Sequence, residues 1–123
     1  MSNGKEASRP VRIPLQGDII KINLGSKKGH EQSGFRPYIC LSNKIVSDYA
    51  NIAIFAHISN TSRKYPLYLP LQKTKTSGSV LLDQLVTIDY NARDFHYVET
   101  IPDALLRQLL SVTVLIFQLN SEE

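Results

Sequence analysis

Several features that mark common protein classes are missing from this sequence. Its one cysteine, Cys40, cannot form a disulfide within the chain, and its place in an apolar run predicts a small core residue. The longest apolar runs, 52–56 and 112–117, are far shorter than the ~18–20 residues that a membrane-spanning helix needs. The first ten residues are polar and contain no apolar segment of a secretory signal. These absences together predict a cytoplasmic protein that does not cross a membrane.

The motifs of several kinds of active site are missing as well. The histidines His30, His57 and His96 are scattered, and no CxxC or HExxH spacing exists, so we expect no bound metal. The sequence contains neither a glycine-rich phosphate loop nor a GxSxG nucleophile elbow. A Cys–His nucleophile pair is not expected, because Cys40 belongs to the predicted core. Any chemistry must therefore come from other residue types, and we expect no cofactor.

The composition and the hydrophobic pattern predict one small, mainly β domain. The 123 residues are 42% hydrophobic and 20% charged, which is typical of a globular protein. We expect a flexible segment over 1–15, one barrel domain over 16–119 and a tail at 120–123. Strands are predicted at 19–24, 38–41, 52–58, 65–71, 80–82, 85–88 and 95–100. The strand at 52–58 contains the apolar run 52–56 and should be central, whereas Pro66 and Pro70 restrict the next strand to an edge.

The last predicted element is an amphipathic helix. Thr100, Pro102 and Asp103 form a helix start in which Thr100 is the cap and the proline lies in the first turn. Apolar residues follow at helical spacing, namely Leu105, Leu109, Val112, Ile116 and Leu119. Short strands followed by a single helix favour a small barrel-like sheet with the helix packed against it, because closure of a sheet limits its exposed edges.

Basic residues concentrate in two stretches of the chain. Residues 21–36 contain four basic side chains against one acidic one, and residues 61–75 contain four basic side chains and no acidic one. The whole chain has a formal charge of +3, so the remainder is mildly acidic. Two basic loops on such a body favour a groove for a polyanion. Two solvated, lysine-rich loops that never meet would give the same composition.

Three residues, Glu31, Arg36 and Ser59, could together form a site for a phosphodiester. A glycine-bounded loop carries Glu31 and delivers Arg36 to the start of the second strand, where Pro37 restricts the arginine backbone. A guanidinium held there suits a phosphate or an oxyanion. Ser59, at the end of the third strand, would add a hydroxyl, and in RNA the 2′-hydroxyl is a built-in nucleophile. On these residues alone, a solvated loop and a turn serine remain the simpler interpretation.

The sequence resembles the MazF/PemK (Kid) family of toxin–antitoxin endoribonucleases. The resemblance begins at Gly17-Asp18-Ile19-Ile20 and continues through the segment GHEQSGFRP at 29–37. It includes Tyr65-Pro66, the segment VLLDQL at 80–85, Ile88, Arg93, and Ile101-Pro102 with the terminal helix. It covers roughly residues 16–118, and the combination of GxEQxGxRP with a downstream DQL is specific.

The resemblance implies an SH3-like barrel of the CcdB/PemK type that dimerises. It implies metal-independent, sequence-specific cleavage of single-stranded RNA, which leaves a 2′,3′-cyclic phosphate and a 5′-hydroxyl. Arg36 takes the place of the catalytic arginine and Glu31 that of the functional acid. Ser59 stands where many relatives have a catalytic threonine, and Thr61 is the alternative if the loop is shifted. We interpret Asp83-Gln84 as structural or dimer-supporting.

The resemblance also implies a partner antitoxin with an acidic, disordered segment that competes with RNA for the same positive charge. Residues expected to contact RNA are Lys27, Lys28, His30, Gln32, Phe35, Arg63, Lys64, Tyr65 and Lys73. Tyr65 and Tyr68 are suited either to base stacking or to packing. Two other possibilities remain open from the sequence. The first is a toxin of the same fold that acts by binding protein, as gyrase poisons do. The second is a structural barrel that has lost activity.

Overall fold

The computed structural model describes residues 13–25 and 34–121. Its elements are β1 (Asp18–Ile22), β2 (Arg36–Cys40), α1 (Lys44–Ser47), β3 (Ile52–Ser59), β4 (Tyr68–Pro70), β5 (Ser79–Asp89), β6 (Phe95–Thr100) and α2 (Asp103–Ile116). The six strands form one sheet in the order β4-β5-β3-β2-β1-β6, and all the pairings are antiparallel. The prediction of a mainly β fold with a terminal helix is confirmed, with β3 inside the sheet and β4 at its edge.

Two expectations concern the chain as a whole, namely the absence of a membrane-spanning helix and the division into segments. In the described part of the chain, no helix has the length and apolar character that a bilayer crossing requires. The division into 1–15, 16–119 and 120–123 stays a prediction, since residues 1–12 lie outside the described ranges.

Each face of the sheet buries its own hydrophobic core. On one face, Leu105 and Leu109 of α2 belong to the same buried cluster as Ile19 of β1. The other face buries a second cluster that contains Ile20 and Phe55. Successive side chains of a strand point to opposite faces, so neighbouring isoleucines in β1 supply both cores. Burial on both faces explains the continuous apolar run at 52–56 in the inner strand β3.

Strand β5 replaces the two short strands predicted on either side of Asp83 and Gln84. It is continuous, but its two halves pair with β3 in different registers, and residues 82–84 lie between them. Asp83 and Gln84 are exposed in this irregular stretch. A bulge of this kind interrupts the pairing and redirects side chains without ending the strand. The sequence pattern therefore suggested a break where the structure has a bulge.

Helix α2 begins later than expected, and the prediction that Thr100 caps it is wrong. The helix begins at Asp103, and its N-cap Pro102 makes no side-chain hydrogen bond. Thr100 Oγ1 instead donates to the carboxylate of Asp18 at 2.7 Å. Asp18 is almost completely buried and also accepts a hydrogen bond from the Leu15 amide at 2.9 Å. A buried carboxylate needs such donors more than an exposed helix end does, because desolvation of an unpaired charge is costly.

Apolar side chains remain exposed at the C-terminal end of α2. The helix ends at Ile116, so Leu119, which was expected on its apolar face, lies beyond it and is 97% exposed. Val114, Leu115 and Phe117 are also more than half exposed. A cluster of large exposed apolar residues marks a surface that is suited to a partner.

A carboxylate joins the two edges of the sheet. Glu99 of the edge strand β6 accepts hydrogen bonds from the amides of Lys75 and Thr76, at 2.9 and 2.7 Å, and from the Thr76 hydroxyl at 2.7 Å. Both donors lie in the loop that follows the other edge strand, β4. Burial raises the pKa of Glu99, but the three hydrogen bonds and the charge of Lys75 together outweigh burial and lower it. This Glu99 clamp gives the sheet the barrel-like arrangement that the sequence predicts.

Candidate active site

Arg36 and Ser59 lie at adjacent strand ends on the face of the sheet opposite α2. Arg36 is the first residue of β2, and Ser59 is the last residue of β3, its antiparallel neighbour. Tyr38 pairs with His57, and the same register carried two residues further places Arg36 opposite Ser59. Both side chains are exposed. The fold thus brings a guanidinium and a hydroxyl to one open position.

Thr61, the alternative hydroxyl, belongs to the loop beyond β3. Its Oγ1 accepts a hydrogen bond from the Arg63 amide at 3.2 Å, which closes a local turn. The register of β2 and β3 places Ser59 rather than Thr61 beside Arg36. This geometry favours Ser59, although the catalytic role of either hydroxyl stays a prediction.

A row of side chains, here called the ring row, crosses the sheet next to this pair. It consists of Tyr38, His57, Leu81 and Tyr68, which are successive cross-strand partners on β2, β3, β5 and β4. The ring centroids of Tyr38 and His57 are 4.6 Å apart. Burial lowers the pKa of His57, so its imidazole is neutral at pH 7. Burial raises the pKa of Tyr38, and the positive charge of Arg36 opposes that rise.

His57 is the residue of this face that sequence reasoning missed. It was considered only as one of three scattered histidines. The signal that could have identified it is strand alternation, because a residue two positions before Ser59 lies on the same face of the sheet.

Arg63, Tyr65 and Tyr68 form an aromatic–cation cluster at the far end of the ring row. The two tyrosine rings meet edge to face with centroids 4.8 Å apart. The guanidinium carbon of Arg63 lies 4.7 Å from the Tyr65 ring centre and 5.7 Å from that of Tyr68. Gln84 of the β5 bulge donates a hydrogen bond to the Tyr68 hydroxyl at 3.4 Å. The tyrosines are half-buried, so they pack on each other and still present surface to solvent.

The remaining candidates for RNA contact fall into two groups. Lys64 and Lys73 are exposed, and Lys73 adopts a positive φ of 62°. Phe35 is half-buried, and its ring centroid lies 5.2 Å from that of His96. The residues that fall outside the described ranges are Lys27, Lys28, His30, Glu31 and Gln32. Their positions and roles stay predictions.

The described ends of the loop between β1 and β2 are fastened to the rest of the domain. Arg93 Nη1 donates to the carbonyl oxygens of Asn23 and Leu24, at 3.3 and 3.2 Å. The Asn23 Oδ1 accepts a hydrogen bond from the Gly25 amide at 3.1 Å. A Cβ at Gly34 would lie 2.5 Å from the Asn23 side-chain nitrogen. Asn23 therefore contacts both ends of the loop, and we call this arrangement the Arg93 latch.

The sequence as a whole matches a known family model. Residues 15–117 match the PemK-like, MazF-like toxin of type II toxin–antitoxin systems. The chain belongs to this family. The resemblance carried by GxEQxGxRP and the downstream DQL is thereby confirmed.

Individual relatives agree with the PemK/MazF assignment. The endoribonuclease toxin MazF of Escherichia coli K12 is 30% identical over 81 residues, which cover 66% of this chain and 73% of that protein. The crystal structure of MazE-MazF (Form-II) from Deinococcus radiodurans gives a TM-score of 0.74 at 18% identity, covering 89% of this chain and 100% of that one. An endoribonuclease from mycobacterial species, solved in complex with its cognate antitoxin, gives 0.70 at 18% identity, covering 87% and 99%. At such identities the two structures establish a shared fold.

In this PemK/MazF chain, the loop between β4 and β5 supports the position of Ser59. Gly78 has a φ of 117°, and a Cβ there would lie 2.9 Å from the Ser59 carbonyl oxygen. Only glycine fits such a close approach at this backbone angle without strain. Ser77 Oγ donates a hydrogen bond to Asn60 Oδ1 at 3.3 Å. One loop therefore contacts the end of β3 and also forms the Glu99 clamp.

The other groups of this toxin family member that could carry chemistry are the thiol of Cys40 and potential metal ligands. Cys40 is buried, and burial raises its pKa to about 11, so it is not a thiolate at neutral pH. The prediction that it is a core residue is confirmed. Among residues 13–25 and 34–121, no three His, Cys, Asp or Glu side chains are grouped so that they could hold a metal ion. That the reaction needs no metal stays a prediction.

Proposed function

We propose that this PemK/MazF family member is an endoribonuclease toxin that cleaves single-stranded RNA without a metal ion. The products would be a 2′,3′-cyclic phosphate and a 5′-hydroxyl. The observation that carries the proposal is the pair of Arg36 and Ser59 at adjacent strand ends, both open to solvent. The related E. coli protein, which carries the name endoribonuclease toxin, supports it.

Each site residue has its own task in this reaction. The 2′-hydroxyl attacks the adjacent phosphorus, and the bond to the 5′-oxygen breaks. Arg36 neutralises the negative charge that the phosphorane gains, because a guanidinium forms paired hydrogen bonds to phosphate oxygens. Ser59 donates a hydrogen bond to a non-bridging oxygen, with Thr61 as the alternative donor. Glu31 orients these groups or takes part in proton movement.

RNA would bind along the same face of the sheet. Unpaired bases would stack on the aromatic–cation cluster, where the tyrosine rings are partly open to solvent. The backbone phosphates would contact the basic residues of the two loops, namely Lys27, Lys28, Lys64 and Lys73. The loop residues His30, Gln32 and Phe35 would contact bases near the scissile bond. Because the contacts include several cations, binding should weaken as the salt concentration rises.

Two protein partners are proposed, an antitoxin and a second copy of the toxin. An antitoxin with an acidic, disordered segment would compete with RNA for the positive charge, and a mycobacterial structural neighbour was solved with its cognate antitoxin. The toxin itself would form a homodimer, for which the exposed apolar end of α2 offers a contact surface. We place the toxin in the cytoplasm, because its proposed substrate, messenger RNA, is found there.

Cleavage of a single-stranded RNA in EDTA tests the proposal. Purified toxin, freed of any antitoxin, should cut the RNA, and mass spectrometry should identify 2′,3′-cyclic phosphate ends. Arg36→Ala should remove most of the activity, by about 10²–10³-fold, because a charged donor to the transition state is lost. Its circular dichroism spectrum should stay that of the wild type.

The matched control is Arg107→Ala, which removes an exposed arginine from α2, on the other face of the sheet. This variant should cleave at the wild-type rate. If the folded wild-type protein leaves every RNA intact in EDTA, or if Arg36→Ala retains full activity, the proposal is wrong. Absence of cleavage by a protein that still arrests growth would favour a toxin that acts by binding protein.

A further inference from the structure

We propose that His57 accepts the proton of the attacking 2′-hydroxyl when this toxin cleaves RNA. The inference rests on the proposed function and adds a residue to it. His57 lies on β3 two residues before Ser59, and both side chains belong to the face of the sheet opposite α2. Two residues of a strand span about 6.5 Å, which is comparable to one nucleotide step of an extended RNA strand. A phosphate held by Arg36 and Ser59 therefore has its preceding ribose within reach of the imidazole.

The imidazole is positioned by neighbours on the two adjacent strands, β2 and β5. Tyr38 of β2 packs against its ring, with centroids 4.6 Å apart and planes inclined by 56°. Leu81 of β5 is its partner on the other side, and it is buried. The ring is half-buried, so these contacts fix its orientation and leave part of it open to solvent.

The groups that face His57 favour its neutral form. The titratable group across β2 is the Tyr38 phenol, whose pKa is raised by burial. The charged group on the same face is Arg36, and β5 contributes the apolar Leu81. Burial lowers the pKa of His57 from its ordinary value. At pH 7 the ring is therefore able to accept a proton, as a general base must.

In the proposed step, the 2′-oxygen attacks phosphorus while the imidazole of His57 acts as the base. A lone pair of the imidazole takes the proton of the 2′-hydroxyl, and the 2′-oxygen forms a bond to phosphorus. The bond from phosphorus to the 5′-oxygen breaks, and the leaving oxygen takes a proton from water. The imidazolium then returns its proton to the solvent. No oxidant, reductant or further reactant is involved, and the products are those of the proposed function.

The pH dependence of single-turnover cleavage tests this role. The wild-type rate should fall at acidic pH with a midpoint that matches the His57 pKa measured by NMR on the same protein. In His57→Gln, this acid limb should disappear and the rate at pH 7 should fall by about 10²-fold. Added imidazole should restore part of the activity of His57→Ala. The histidine control is His96→Gln, which should keep the acid limb where it is.

The outcomes separate this inference from the proposed function. If the wild type cleaves RNA but its acid limb does not match the NMR pKa of His57, the inference is wrong even if no variant folds. A folded His57→Gln with an unchanged pH profile would also overturn it. So would an equal loss at every pH without rescue of His57→Ala by imidazole, because that pattern indicates a structural role. If the wild type cleaves no RNA, the proposed function itself fails.

Discussion

At the scale of single residues, two hydroxyls compete for one role at the end of β3. Ser59 lies on the strand beside Arg36, whereas the Thr61 hydroxyl accepts a hydrogen bond within its own turn. A serine keeps the hydroxyl donor of the threonine that the family resemblance predicts here, but it lacks the methyl group that restricts the threonine rotamer. The close contact of Gly78 with the Ser59 backbone compensates in part, because it fixes where the strand ends.

Substituting each hydroxyl should therefore give unequal losses. Ser59→Ala should lower the single-turnover cleavage rate by about 10²-fold, since one donor to the developing oxyanion is lost. Thr61→Ala should leave the rate almost unchanged. Ser62→Ala, at an exposed neighbouring position, is the control. A larger loss in Thr61→Ala than in Ser59→Ala would show that the assignment of the hydroxyl is reversed.

At the scale of elements, the Arg93 latch joins the start of the β1–β2 loop to the turn before β6. Its guanidinium donates to two carbonyl groups that no longer belong to the β1 ladder. The neighbouring Asn23 side chain contacts both Gly25 and Gly34. The latch therefore sets where the chain enters β2, and hence where Arg36 points.

Breaking the latch should lower activity without unfolding the domain. Arg93→Gln should reduce kcat by about tenfold or more, because a small displacement of a catalytic group is costly. Gly34→Ala should have a similar effect through its contact with Asn23. Steady-state cleavage kinetics measure kcat, and thermal unfolding checks that the domain stays folded. Arg107→Gln is the control. A wild-type kcat in both variants would contradict this positioning role.

The Glu99 clamp makes a prediction about stability and pH. The folded pKa of Glu99 lies below its usual value, so the clamp stabilises the fold fully above the unfolded carboxyl pKa of about 4.3. That contribution is lost as the pH falls from about 4.3 through the lower folded pKa. Glu99→Gln should lower the free energy of unfolding by about 1 kcal/mol at pH 7, since the clamp is partly exposed.

Urea unfolding at pH 7 and near pH 3 measures this effect. The difference between wild type and Glu99→Gln should shrink at the lower pH, whereas Asp94→Asn, at an exposed position just before β6, should differ little at either pH. A difference that stays constant with pH would mean that the charge of Glu99 contributes nothing.

The sequence predicted the secondary-structure elements well. It predicted the contacts between residues far apart in the chain less well. Apolar periodicity identified β3, β6 and α2, because burial leaves a regular pattern along the chain. The hydroxyl of Thr100 was misassigned because its partner, Asp18, is 82 residues away. The candidate site followed the same rule. Arg36 and Ser59 were predicted from their strand ends and the family resemblance, while His57 required the register of β2 against β3.

At the scale of the whole molecule, we expect the exposed apolar end of α2 to form the contact of the proposed homodimer. Light scattering should give a mass twice that of the 13.8 kDa chain. Leu115→Glu and Phe117→Glu place charge on exposed apolar positions and should shift the protein toward the monomer. Gln108→Glu adds the same charge at another exposed position of α2 and should leave the dimer intact. A dimer that survives both apolar substitutions would show that another surface forms the contact.

The pairing of β1 with β6 has a consequence for how the toxin is made. The first strand of the sheet pairs with β2 and also with β6, where Thr100, 82 residues beyond Asp18, donates a hydrogen bond to that buried carboxylate. On a translating ribosome, β6 is made long after β1, so the nascent chain cannot complete this sheet until β6 has emerged.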